Sequence, residues 1–250
     1  MRTEWWKTYF DRDYMDIHAE RPYRNTEEEV RLLRTILGPG EGRLLLDACC
    51  GYGRHSIPLA REGWRVVGFD RSETLLALAV CNAKELSEGD RPRWVRGDLR
   101  TAVFAGVFEA AISMFTSIGY CAEESDNFAT IRSIHAGLAP GGAFVLDLAN
   151  RDFLIQYPLA LRNWWRRGKE FVLEETKFDV ATSVATTRNV LIRGDEVKES
   201  EFRVRLYSFH EIAGYLNEAG FEIEHAYGGY GVRPFTPTSH RMIVVARKTP

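Results

Sequence analysis

Three short strand-like segments, each closed by an aspartate, constrain this chain more than any other feature: residues 44–46 before Asp47, 64–69 before Asp70, and 93–97 before Asp98. Segments of this length read as buried strands, and helical signals stand between them. A capping box at Thr26 and Glu29 opens a helix that buries Val30, Leu33 and Leu37 and stops at Gly38-Pro39-Gly40. After the turn Gly51-Tyr52-Gly53 a helix runs through Ile57, Leu59 and Ala60 to Gly63. Pro58 fits it poorly, so a kink or a late start is expected. Ser72 caps the next helix, whose buried stripe is Leu75, Leu76, Ala79, Ala83 and Leu86. A fourth strand, residues 108–115, leads to a helix with Phe128, Ile131, His135 and Leu138 on one face and a stop at Pro140-Gly141-Gly142. Residues 143–148 are a fifth strand. Strands alternating with helices predict an α/β fold with a parallel sheet covered on both faces.

The pattern changes after Asn150. Phe202, Val204 and Leu206 alternate with Arg203, Arg205 and Tyr207, and residues 184–192 alternate before a Gly194-Asp195 turn. These read as antiparallel strands with one wet face, a small insertion after the fifth strand. Ser208 and Glu211 form a second capping box, followed by Ile212, Leu216 and Ala219, and residues 221–227 and 241–246 are closing strands. The 250 residues are therefore read as one domain: a lid and helix at 1–40, a core at 41–150, the insertion at 151–208, and a helix with a strand pair at 209–250.

Composition narrows the class. With 33 Lys plus Arg against 35 Asp plus Glu, the net charge is -2, which argues against gripping nucleic acid by bulk field. No stretch approaches the roughly 20 apolar residues of a membrane span, and residues 1–16 mix aromatics with charges and lack a signal core. Cys49, Cys50, Cys81 and Cys121 show no metal spacing, so reduced thiols in a cytoplasmic protein and no bound metal are expected.

The glycines after the first strand let a ligand approach the carboxyl end of the sheet. Asp47 beside them would repel a pyrophosphate but favour a ligand with an amino or sulfonium charge. Ser56 is a poor match to the third glycine of a dinucleotide fingerprint. Asp70 is placed to accept from both ribose hydroxyls, and Asp98 to accept from an adenine amine with Leu99 against the ring. An adenosine ligand with a cationic amino-acid tail fits all three acids, which describes S-adenosyl-L-methionine. An NAD(P)-dependent oxidoreductase and a non-catalytic S-adenosylmethionine-binding protein are the alternatives.

The stretches LLLDACCGYGRHSIPLA (44–60), VVGFDRS (66–72), Gly97-Asp98-Leu99, SMFTSIGY (113–120) and LAPGGAFVLD (138–147) resemble the class I S-adenosylmethionine-dependent methyltransferases. The resemblance implies a Rossmann-like seven-stranded sheet with an antiparallel last strand. It also implies that Asp47, Gly51 and Gly53 surround the methionine part, Asp70 the ribose, Asp98 and Leu99 the adenine, and Phe115 to Ser117 the sulfonium; Cys50, Arg71 and, in the aromatic N-terminal segment, Tyr23 are further cofactor-binding candidates. Arg54-His55-Ser56 and the stretch ending in Tyr120 are similar to bacterial small-molecule enzymes, including sugar-amine N-methyltransferases, so the expected partner is a small-molecule methyl acceptor. Neither a membrane nor nucleic acid is expected as a partner.

Methyl transfer needs alignment and exclusion of water more than a catalytic triad, and proximity supplies roughly 7 to 11 kcal/mol in favourable cases. Tyr14, Tyr120 and His55 are the catalytic candidates around the acceptor. For each, the plainer reading is packing or capping. Arg162, Arg166, Arg167 and Lys169 around Trp164-Trp165 read as a solvated helix with both aromatics against the core, and secondarily as an anion clamp.

Overall fold

A sheet buried on both sides needs apolar side chains at consecutive positions, because neighbours along a strand point to opposite faces. The computed structural model describes residues 9–10, 12–18 and 25–249. In it β1 (Leu44–Ala48), β2 (Arg65–Asp70), β3 (Arg93–Arg96), β4 (Phe108–Ser113) and β5 (Leu138–Ala149) pair in parallel. With β10 (Phe221–Tyr227) and β11 (Arg241–Lys248) they form a seven-stranded sheet ordered β10-β11-β5-β4-β1-β2-β3, in which β11 runs antiparallel to both neighbours. On one face Leu46, Phe144, Leu146 and Val244 pack against Ile131 and Ile134 of α5 (Glu124–Gly137) and Ile212 and Leu216 of α7 (Phe209–Glu218). On the other, Leu45, Ile112, Val145 and Ile243 meet Val30 and Leu33 of α2 (Thr26–Leu37) and Leu59 of α3 (Ser56–Arg61). Burying each such side chain contributes roughly 1.5–3 kcal/mol.

Several local expectations change. Asn25, not Thr26, caps α2, its side chain accepting from the Glu28 N–H at 3.2 Å. Glu29 turns inward and is fully buried, so it takes no part in the expected capping box. Helix α3 starts late, at Ser56, which puts Pro58 in the first turn, where N–H groups have no helical partner to lose. Helix α5 passes directly into β5 at Leu138. Pro140-Gly141-Gly142 lies within the irregular start of that strand, where pairing moves from Phe108↔Leu138 to Ala110↔Ala143. Ser72 caps α4 (Glu73–Asn82), and Ser208 and Glu211 form the expected capping box.

The insertion follows α6 (Arg151–Gln156). It is an antiparallel sheet of β6 (Arg162–Arg167), β7 (Glu170–Asp179), β8 (Val184–Arg193) and β9 (Glu196–Arg205), in that order. The basic-aromatic segment is thus a strand, not a helix. Alternation buries Trp165 with Val172, Leu191 and Ile17 of α1 (Arg12–His18), and leaves Trp164 69% exposed. The insertion meets the core at Gly119. There Arg205 donates its N–H to the Gly119 carbonyl at 2.8 Å, and a Cβ would fall 2.3 Å from the Arg205 oxygen. Among the described residues no helix is long and apolar enough to cross a membrane.

Candidate active site

The chain leaves β1 through Cys49, which holds a left-handed φ of 65°. That bend points the Cys49 and Cys50 N–H groups at the Phe69 carbonyl, 2.8 and 3.1 Å away. The next N–H, of Gly51, donates to Asp70 at 2.8 Å, while the other Asp70 oxygen accepts from Ser72 N–H at 2.8 Å. Asp70 therefore ties the glycine turn to the start of α4, and burial pushes its carboxyl up. Gly53 has a φ of 81°, and a Cβ there would meet the Trp94 ring at 2.7 Å.

These loops wall a cavity of about 850 Å³ at the carboxyl end of the sheet, closed on the far side by the insertion and by Tyr9, Phe10, Tyr14 and His18. Ten of the sequence-derived candidates lie on its wall: Cys50, Gly51, Asp70, Arg71, Asp98, Leu99 and Phe115 from the cofactor set, and Tyr14, His55 and Tyr120 from the catalytic set. Asp47 and Gly53 do not reach the wall. Asp47 is 1% exposed, accepts from the Ser56 hydroxyl at 2.5 Å, and is pushed up to about 7 by burial. Tyr23 lies outside the described residues.

Asp98 is held as an anion. Arg100 grips it through its backbone N–H and its guanidinium, with Nη2 at 2.7 Å, and reaches Asp126 with Nη1 at 2.6 Å. The hydrogen bonds from Arg100 keep the Asp98 carboxyl below the usual range. Arg100 Nε also contacts both Asp98 oxygens, at 3.0 and 3.2 Å, so Arg100 makes four contacts with this carboxylate.

Asp147, Tyr230 and Arg241, which have no assigned role in the sequence reading, organise the middle of the cavity around Phe115 and Thr116. Phe115 and Thr116 both adopt left-handed φ, 62° and 61°, a conformation that persists in non-glycine residues only when surroundings fix it. Asp147 at the end of β5, with no exposed surface, does so. Its carboxylate accepts the Phe115 N–H at 2.9 Å, the Tyr230 hydroxyl at 2.9 Å and Arg241 Nε at 2.8 Å, and its carbonyl accepts the Thr116 N–H at 2.9 Å. The guanidinium groups of Arg54 and Arg241 each stand over the Phe115 ring, 5.4 Å from its centroid. Asp147 carried the same signal as the other strand-end acids, a strand-like segment closed by Asp. Glu29 accepts from Arg54 and from His55, the latter at 2.6 Å. Burial lowers His55 to about 4, with Arg54 adding to the shift, so its imidazole is neutral near pH 7.

The insertion supplies the opposite wall from the inward residues of β6, β7, β8 and β9: Asn163, Glu174, Thr176, Thr187, Phe202 and Val204. Thr176 and Thr187 share a hydrogen bond of 2.8 Å. The basic side chains Arg162 and Arg167 instead pair with Glu175 and Glu170, and Arg166 donates to the Gly168 carbonyl. Arg162, Arg166, Arg167 and Lys169 are absent from the residues lining this cavity.

A crevice at the carboxyl ends of parallel strands is where open α/β sheets bind their ligands. A family model described as a methyltransferase domain matches residues 45–142. The cypemycin N-terminal methyltransferase of a Streptomyces species is 27% identical over 228 residues, covering 84% of this chain and 85% of that protein. Among solved structures, the CcbJ methyltransferase from Streptomyces caelestis superposes with a TM-score of 0.85 at 20% identity, covering 98% of this chain and 99% of its own. An amino pentose methyltransferase from Micromonospora echinaspora involved in calicheamicin biosynthesis gives 0.68 at 19%, covering 91% and 93%. Residues 45–142 match a methyltransferase domain, and these similarities support an S-adenosylmethionine-dependent methyltransferase with S-adenosylmethionine as methyl donor.

Proposed function

We propose that this enzyme moves the methyl group of S-adenosylmethionine to a nitrogen or oxygen of a small molecule by in-line displacement, inside the cavity between the core and the insertion. One observation carries the reading: the cofactor-side residues Gly51, Asp70 and Asp98 and the insertion residues Glu174, Thr176 and Thr187 line one continuous cavity. Donor and acceptor then share a single enclosed space.

The residues fit the donor. The Gly51 turn leaves backbone open to the methionine part, Asp70 suits the ribose, and Asp98 with the buried Leu99 suits adenine. When bound, the donor supplies an electrophilic methyl on a sulfonium. The protein's share is positioning and exclusion of water. Phe115, fixed by Asp147, forms the wall between the two halves. Tyr14 and Tyr120 face the acceptor side, and neutral His55 offers a ring nitrogen as a hydrogen-bond acceptor there. The names of two similar proteins, an N-terminal methyltransferase and a sugar N-methyltransferase, support a small-molecule or peptide amine among the candidate acceptors. Four free thiols support a reducing, cytoplasmic setting.

The test is transfer of label from methyl-labelled S-adenosylmethionine into an extract of the source organism. Labelled low-molecular-mass product that disappears with Asp70→Ala supports the reading. Tight binding of S-adenosylhomocysteine with no label transferred to any fraction would mark a cofactor-binding protein without this activity.

A further inference from the structure

The inner face of the insertion lines the cavity, and its outer face carries an apolar patch in solvent. The pairing registers put Trp164, Leu173 and Val190 in one row across β6, β7 and β8, and Phe171, Ile192 and Val197 in the next row across β7, β8 and β9. All six point away from the buried Trp165, Val172 and Leu191, because neighbours along a strand face opposite sides. Trp164 is 69% exposed, Val197 59%, Leu173 42% and Phe171 39%. The Trp164 and Phe171 ring centroids are 6.5 Å apart. The outer face of an antiparallel sheet is ordinarily polar, whereas a contiguous apolar patch there marks an interaction site.

The charges bordering this patch select the partner. Arg162, Glu175, Arg188 and Glu201 stand side by side across the four strands and alternate in sign. Sheets stacked face to face keep their strands within about 30° of alignment. A second copy laid on this face, turned about a two-fold axis parallel to the strands, presents the row in reverse. Arg162 then meets Glu201 of the other copy and Glu175 meets Arg188, so every contact in the row joins opposite charges. The same rotation sets Leu173 against Val190 and Phe171 against Ile192, apolar on apolar. Within one copy Arg162 bridges to Glu175 at 3.0 Å and Arg188 to Glu199 at 2.6 Å. Each guanidinium has five donors, so these exposed pairs can be shared across the contact. Four strands about 4.8 Å apart and about 33 Å long give a footprint of roughly 600 Å² per copy. Two copies bury about 1,200 Å², the lower bound of specific interfaces. An anionic lipid surface would instead be opposed by Glu175, Glu199 and Glu201.

We propose that the outer face of the insertion is a homodimer interface, in which β6 to β9 of two copies stack about a two-fold axis along the strands. Such a contact uses the same patch on both copies and closes on itself, so assembly stops at two. The active site gains from it. Glu174, Thr176 and Thr187, on the inner face of the same strands, line the cavity, and the dimer backs that wall with a second sheet. A sheet covered on both faces opens less readily than one with a wet face, which holds the insertion wall opposite the cofactor loops. The inference stands apart from the methyl-transfer reading, because it uses residues outside the cavity.

The test is sedimentation velocity on the full chain from about 1 to about 100 µM. The parent is expected to sediment at twice the chain mass toward the upper end of that range. Leu173→Lys, at the centre of the patch, and Val197→Lys, on the edge strand β9, are each expected to weaken association by about tenfold or more. Glu175→Arg sets like charges opposite each other and is expected to weaken it as well. Adding Arg188→Glu to Glu175→Arg restores opposite charges between the copies and is expected to recover most of the association. All these positions lie on the outer face, so far-ultraviolet circular dichroism is expected to be unchanged in every variant. A parent that stays monomeric throughout, with or without binding to anionic vesicles, overturns the proposal. So does a dimer that both lysine substitutions leave intact, or a double variant that recovers nothing.

Discussion

At the scale of single residues, the strand-end acids divide into two kinds. Asp70 and Asp98 face the cavity, whereas Asp47 and Asp147 lie beneath its wall, and a sequence shows only that each closes a strand-like segment. Asp147 fixes the strained Phe115–Thr116 turn, so Asp147→Asn is expected to lower kcat by about tenfold or more while S-adenosylhomocysteine affinity changes less than about threefold. A parallel loss of affinity and folded structure would show a merely structural role. Asp47 gives a pH signature. Its folded carboxyl titrates at about 7 against an ordinary 3.8, so between these values the folded state holds the extra proton and stability falls as pH rises. Asp47→Asn keeps an acceptor for the Ser56 hydroxyl and removes this slope. In urea unfolding the variant should gain on the parent from about pH 4 to pH 7, by up to about 4 kcal/mol.

At the scale of elements, the order of strands and helices was legible because apolar runs, caps and glycine stops agree locally with the final sheet. The errors have physical causes. Thr26 and Glu29 carry a capping spacing, but Glu29 also faces Arg54 and His55 across the α2–α3 contact, and two buried partners outweigh one exposed cap. The segment around Trp164 and Trp165 was read as a helix because its charges mask the two-residue alternation that only pairing with β7 exposes. Gly119 is the joint between core and insertion. Its φ of 114° and the Arg205 oxygen behind it leave no room for a methyl group. Gly119→Ala is expected to lower stability by about 2 kcal/mol or more and to speed protease cleavage within the insertion. An unchanged thermal midpoint would show that the two parts meet elsewhere.

At the scale of the whole molecule, the near-zero net charge hides a divided cavity: guanidinium groups with Asp70 and Asp98 toward the cofactor loops, aromatic rings with His18 and Glu174 toward the insertion. The cofactor half was legible, since its residues fall in short motifs at successive strand ends. The acceptor half was not, because Glu174, Thr187 and Phe202 are brought to Phe10 and Tyr14 only by the folding of a sheet more than about 140 residues away in the chain. Alternation groups Phe202 with Val204 on one strand face, but nothing in the local sequence says what that face meets. The measurement that bears most directly on the account is a crystal structure with S-adenosylhomocysteine. Adenine beside Asp98 and Leu99, ribose on Asp70, and the thioether sulfur against Phe115 facing Glu174 and the rings is the predicted result. A ligand bound elsewhere, or a sulfur turned away from the insertion, would contradict it.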